Sequence, residues 1–307
     1  MAGILAVLIV LFMFTSMSAN FSRDMWDRFP MILAIILISI AVGYSTVSFQ
    51  TITGARILTP GVLGFENIYM FLQTILLLLV PTLATTLEYF TEYNFVFSLL
   101  IMVGFSLLIF MPLFTKGSKG IYTLLLVGII LSTLFASLTS FMQFLIDPDM
   151  FRTIEGLMFA SFVAPDFLLM SVSAVIMVIS FFIAPSARTL DVLSLGRDNA
   201  ISLGVNHKRA SLRILIVVAI LVSVSTVVVG PVMFLGLISA NLAYQFIKSY
   251  KHKYTIPAAV LVSAIALVGA ELVMRFFTLD INVAVIINFF GGIYFIFILM
   301  RERGKGR

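Results

Sequence analysis

Residues 186–213 read SARTLDVLSLGRDNAISLGVNHKRASLR, the longest polar interruption in a chain that otherwise alternates long apolar runs with brief loops. The stretch carries Arg188, Arg197, Lys208, Arg209 and Arg213 against Asp191 and Asp198. Such a basic excess between apolar runs is the mark of a cytosolic loop. Within it, residues 193–205 read as two short helical pieces. Leu193, Leu195, Ile201, Leu203 and Val205 are set among small and charged residues, with Gly196 and Gly204 as punctuation. An elbow of this kind offers a partner an apolar ridge in a polar frame. The plainer alternative is a connector whose helices pack on their own protein.

Outward from the elbow, composition sets the class. Hydrophobic residues make up 61% of the chain and charged residues 11%, and the mean hydropathy is +1.16. A water-soluble surface needs far more charge, so the chain reads as an all-α polytopic membrane protein. Its formal charge of +5 reflects loop Lys and Arg held near one membrane face and carries no nucleic-acid signal. Cysteine is absent, and His207 and His252 lie in separate basic loops. Neither disulfides nor a metal site is expected.

A spanning helix needs about 20 mostly apolar residues. Runs at 3–19, 30–50, 62–80, 95–114, 120–146, 166–185, 210–229, 231–248, 256–277 and 282–300 qualify, which makes ten. The first lacks a basic leader and is kept as a membrane helix rather than a signal peptide. An even count puts both termini on one side. With both cytoplasmic, the inner loops hold Arg56, Lys116, Lys119, the elbow cations, Lys248, Lys251, Lys253, Arg301, Arg303, Lys305 and Arg307. The outer side keeps Arg23, Arg28, Arg152 and, at a helix end, Arg275, and is otherwise acidic. This asymmetry satisfies the positive-inside rule. The whole chain, 1–307, then reads as one transmembrane domain with its elbow at 186–213.

Residues 147–166 are long enough to hold a short helix at the outer surface. The seventh and eighth runs, by contrast, are separated only by Val229, Gly230 and Pro231, so they form a tight hairpin or one broken helix. Gly236 and Ala240 add a small-residue face that lets helices approach closely. Polar residues inside the runs are few: Glu66, Asn67, Gln143, Asn241, Gln245, Glu271, Arg275, Asn282 and Asn288. Glu271 and Arg275 are spaced i, i+4 with Glu first, so a structural pair and a substrate contact are both open. No chain of Asp, Glu or His threads successive runs as a proton-coupled carrier would need. No phosphate-binding loop, zinc-protease motif or nucleophile elbow occurs either. No catalytic residue is nominated, and any uphill transport must draw its energy from another chain.

At this point the motifs become specific. Residues 195–205, LGRDNAISLGV, resemble the segment by which permeases of the iron-siderophore and vitamin B12 ABC importer family, the FecCD type, dock on their ATPase. Residues 230–237, GPVMFLGL, are similar to a second signature of that family, about 25 residues on. Arg28-Phe29-Pro30, the small-residue helix ending at Gln50, and Pro60-Gly61-Val62-Leu63-Gly64 match three upstream landmarks in order. Two departures stand out: Ala55-Arg56 where the family often has Asn-Pro, and Ser239-Ala240-Asn241 where it often has Pro-His. That wording is similar to a branch serving catecholate siderophores of the petrobactin kind.

The resemblance implies a type II ABC importer permease fold in a bacterial cytoplasmic membrane. Its implied partners are ATP-binding subunits that carry ATP and Mg, a second, non-identical permease, an extracytoplasmic binding protein and a ferric siderophore as cargo. It assigns ATPase coupling to Leu195, Gly196, Arg197, Asp198, Ala200, Leu203, Gly204 and Val205. Binding-protein docking falls to Arg28 and Arg275, with Met31 standing where the family has another arginine. Structural or gating roles fall to Gln50, Pro60, Gly64, Gly230, Pro231 and Gly236. Haem or vitamin B12 as cargo, an ion-coupled secondary carrier, and a non-transporting sensor or scaffold are the competing expectations.

Overall fold

The computed structural model describes residues 1–15, 21–79, 87–115, 120–146, 167–277 and 282–305, and every regular element among them is helical. In chain order these are α1 (Ala2–Phe14), α2 (Phe21–Thr53), α3 (Phe65–Leu79), α4 (Leu87–Thr115), α5 (Gly120–Gln143), α6 (Phe167–Ile183), α7 (Ala187–Leu193), α8 (Arg197–Ser202), α9 (His207–Val229), α10 (Leu235–Phe246), α11 (His252–Phe276) and α12 (Val283–Lys305). A 3-10 turn, Pro60–Leu63, precedes α3. The expected surface helix in 147–166 lies outside the described residues, as do Lys116, Lys119, Asp280 and Arg307.

Helices α2, α5, α9 and α11 are each long and apolar enough to cross a membrane, and α6 with α7 forms a fifth candidate bent by 59°. With its many apolar helices the chain is a multi-pass membrane protein. At a 1.5 Å rise per residue, α10 is only about 18 Å long, short of the hydrocarbon thickness of about 30 Å. The expected eighth span at 231–248 is thus not one continuous spanning helix. Its first residues are taken by the irregular segment 230–234, where Gly230 sits at φ 102° and Pro231 lacks an N–H to extend α9. Helix α3 likewise starts only at Phe65, after Gly64 at φ 87° closes the Pro60 turn.

Two helices organise the packing. α11 contacts α1, α2, α10, α12 and the elbow helix α7, while α9 contacts α2, α3, α4 and α6. Small residues allow the closest approaches. A Cβ on Gly43 of α2 would lie 2.8 Å from the backbone nitrogen of Val260 on α11. A Cβ on Gly236 would strike the Thr46 hydroxyl. In lipid, where burying apolar area against another helix gains little over lipid tails, such backbone proximity is what holds helices together. Polar pairs add to it. Gln73 and Asn94 exchange amide hydrogen bonds between α3 and α4 at 2.9 and 3.2 Å, and Gln73 also donates to Ser98.

Candidate functional site

The elbow forms first from local signals. Pro185 ends the apolar run, and the Ser186 side chain accepts from the Thr189 N–H to start α7. Gly196 at φ 92° and Gly204 at φ 83° bracket α8 in a region that L side chains rarely adopt. The Asn206 side chain then accepts from the Arg209 N–H, 3.0 Å, and launches α9. Two short helices are present, but only α8 lies within 193–205, where the sequence implied both; α7 ends at Leu193, where that stretch begins.

Their apolar residues split into two faces. Leu190, Leu193 and Ala200 are buried, in a cluster that includes Phe49, Ile52 and Ile214, and Val205 packs against its edge. Leu195, Ile201 and Leu203 are exposed by 55%, 53% and 61%. The ridge read from the sequence as five residues is thus three, while Leu193 and Val205 anchor the elbow to its own protein. Both the partner-facing and the self-packing readings hold, each for different residues.

A second gathering lies deeper. Val42, Ser45 and Thr46 of α2, Thr59, Pro60 and Gly61 of the turn, Glu66 of α3, Val222, Ser225 and Thr226 of α9, and Val232, Met233 and Gly236 enclose one cavity. Pro60 and Gly236, distant landmarks in the sequence, so meet at one place, with Glu66 as its ionisable group. The hydroxyl-bearing Ser45, Thr46, Thr59, Ser225 and Thr226 lie along a mostly apolar wall, with no fixed charge opposite Glu66 among the lining residues. Of these the sequence pointed to Pro60 and Gly236 as structural landmarks and to Glu66 as an intramembrane acid, but to none as a substrate contact, and the Ser and Thr residues do not stand out because they are common in membrane helices.

The remaining landmarks have structural partners. Gln50 donates through Nε2 to the Arg56 carbonyl at 2.6 Å and holds the loop that follows α2. Gly64 lies against Ser132 of α5, and Asn67 donates to the Ser132 hydroxyl at 2.6 Å. Asn241 also donates to the Arg56 carbonyl, at 3.1 Å, and the Arg56 guanidinium sits 5.1 Å from the centre of the Tyr244 ring. The two departures noted in the sequence, at Arg56 and Asn241, are therefore in direct contact.

The two docking arginines differ. Arg28 is 5% exposed, and its Nη1 donates to the Phe12 and Met13 carbonyls at 2.8 Å each, satisfying the open C-terminal end of α1. In this conformation Arg28 is a buried helix cap and does not present the free outer charge expected of it. Arg275 lies over the Phe12 ring at 4.5 Å, within 3.6 Å of Glu271 and 3.4 Å from the Met31 sulfur, and its side chain keeps 24% exposure. Met31, in the place of the family's further arginine, contacts Arg275.

Residues 2–301 match the FecCD transport family. The chain belongs to that family. It is 43% identical over 304 residues to the petrobactin import system permease protein YclO of Bacillus subtilis, covering 98% of this chain and 96% of the relative. It is 34% identical over 289 residues to the petrobactin import system permease protein FatC of Bacillus anthracis, covering 93% and 81%. A hemin transport permease of Yersinia pestis and a vitamin B12 import permease of Vibrio cholerae are more distant, at 25% and 24% identity. In fold it is similar to a metal-chelate type ABC transporter in an inward-facing conformation, with a TM-score of 0.79 and 20% identity over 97% and 96% of the two chains. Among the described residues no cluster of His, Asp or Glu suits a metal ion.

Proposed function

We propose that this FecCD chain is the permease subunit of an ATP-driven ABC importer for ferric siderophores of the catecholate type. The observation that carries the reading is the elbow. Leu195, Ile201 and Leu203 stand exposed on a turn shaped by Gly196 and Gly204, on an otherwise anchored loop, in a chain of a permease family. A membrane protein that leaves three apolar side chains on a basic loop pays for their contact with water unless a partner covers them. The partner of fitting chemistry is an ATPase with a matching apolar cleft, which supplies the ATP and Mg that this chain has no motif to bind.

The residues 1–307 act as one permease domain of ten spans in a bacterial cytoplasmic membrane, with both termini inside. Two permeases, of which this is one, enclose the path as an obligate heterodimer. A binding protein delivers the cargo to the outer face, where Arg275 is the accessible docking cation. ATP binding and hydrolysis on two partner subunits bias the membrane dimer between outward and inward access. The iron complex is carried without chemical change. Gly230 and Pro231 break α9 from α10 beside the cavity and give that wall a place to bend.

Uptake of radio-iron petrobactin by cells carrying Gly204→Arg tests this reading. No atom lies within 4 Å of a Cβ added at Gly204, so the change strains only a φ of 83° and places a cation on the docking face. Loss of uptake together with loss of ATPase co-purification, at unchanged membrane abundance, is the expected result. Persistence of both overturns the reading.

A further inference from the structure

Asp191 of α7 takes part in a polar joint between residues far apart in the sequence. Asp191 Oδ1 accepts the backbone N–H of His252 at 2.7 Å and lies 2.7 Å from His252 Nδ1. The other ring nitrogen, Nε2, lies 2.7 Å from the Thr51 hydroxyl of α2. The Thr51 hydroxyl has a single proton, and the Val47 carbonyl of its own helix lies within reach at 2.8 Å as the alternative acceptor. With Nδ1–H donating to the Asp191 carboxylate, the neutral ring's Nε2 is an acceptor for the Thr51 hydroxyl, and the imidazole bridges α2 to the elbow through both nitrogens.

Each end of this bridge is set in a rigid element. Asp191 belongs to α7, whose Leu190 and Leu193 are buried at 0% and 3% exposure. Its carboxylate serves as the missing N-terminal cap of α11, since Lys251 provides no side-chain bond there, and a negative charge at a helix N-terminus is favourable. The His252 side chain itself is 6% exposed. On α2, Thr51 is the neighbour of Gln50, which holds the Arg56 carbonyl that Asn241 of α10 shares. The joint thus ties the elbow to the ends of α2 and α11 together. Through Gln50 and the Arg56 carbonyl the chain of contacts extends to α10, whose Gly236 lines the cavity.

We propose that Thr51, His252 and Asp191 form the joint that transmits elbow motion to the walls of the translocation path, with His252 as a positioning residue for transport. This rests on the permease reading above. Contiguous hydrogen bonds between rigid elements are a physical route for such coupling. Removing one of them leaves the elbow docked through its other face and lets it move without carrying α2.

The test uses the whole importer, this chain with its partner permease and ATPases, reconstituted in liposomes and supplied with radio-iron petrobactin and its binding protein. Variants T51V, T51S and D191N are compared for ATPase co-purification, ATP hydrolysis and iron imported per ATP. T51V removes a single hydroxyl, and T51S restores it. For T51V and D191N we expect normal ATPase association and continued hydrolysis, with iron imported per ATP falling about tenfold, the scale set by one charge-assisted hydrogen bond. T51S behaves as the unmodified importer. Unchanged import per ATP in T51V and D191N overturns the joint. So does loss of ATPase association in both, which would make the bridge a support for docking only. An unmodified importer that hydrolyses ATP but moves no iron sinks the permease reading itself, so the two failures are told apart.

Discussion

Gln50 and Asn241 donate to the same oxygen, the backbone carbonyl of Arg56, at 2.6 and 3.1 Å. One donor comes from the end of α2 and the other from α10, so the exposed loop between α2 and the Pro60 turn is clamped from both sides. Each hydrogen bond contributes about 1 kcal/mol to keeping the loop closed, or roughly a fivefold change in its open population. Trypsin cleavage after Arg56 in detergent-solubilised protein should accordingly rise about fivefold in Asn241→Ala and further in the double variant with Gln50→Ala. Equal cleavage rates in all three proteins would show that the clamp is idle.

Arg28 and Arg275 should part company on mutation. Arg28→Met leaves two carbonyls at the end of α1 without their buried donor, a loss of about 1.5–3 kcal/mol for each charged hydrogen bond. Membrane abundance and melting temperature should fall. Arg275→Lys keeps a cation beside Glu271 on a side chain with 24% exposure, so abundance should stay near normal, while loss of the planar guanidinium should weaken association with the binding protein by about fivefold. Native-like stability of the Arg28→Met protein would return Arg28 to the docking surface.

Glycine substitutions on two helices make a paired test of packing. Gly43→Ala on α2 puts a methyl 2.8 Å from the Val260 backbone nitrogen of α11, which cannot retreat as a side-chain tip would. The separation forced on the helices should cost about 1–3 kcal/mol. Gly104→Ala on α4 meets nothing within 4 Å and should be neutral or stabilise by about 0.5–1 kcal/mol through helix propensity. Thermal unfolding in one detergent reads both, and equal effects would contradict the close α2–α11 approach.

The two elbow faces give opposite phenotypes. Leu203→Ser, on an exposed position, should leave the melting temperature unchanged while ATPase co-purification drops. Leu193→Ala, at a site 3% exposed, should destabilise the permease by about 2–5 kcal/mol, as core truncations do. A melting-temperature loss for Leu203→Ser as large as that for Leu193→Ala would mean that both leucines face the protein.

Long apolar runs make the helices readable in the sequence, because a chain crossing lipid must satisfy its backbone within each segment. The same uniformity hid the polar partnerships. Thr51, His252 and Asp191 fall in three separate stretches, each with an ordinary local explanation: a helix end, a basic loop and an amphipathic connector. Glu66 was visible as an intramembrane acid, but nothing near it in the sequence indicated Ser225 or Gly236. Arg28 was legible as a cation beside an acidic surface, yet its use as a cap depends on where α1 ends in space.

The sequence by itself determined a helical membrane protein of the FecCD family with a basic elbow. Hydropathy, charge bias and motif order are properties of neighbouring residues, and neither rests on how the helices are arranged. Tertiary structure alone decided which elbow leucines face outward, which arginine is buried, and that Arg56 meets Asn241 while His252 joins Asp191 to Thr51. Those outcomes depend on helix rotation and on backbone approach at glycines such as Gly43, and both are set by packing between segments far apart in the chain.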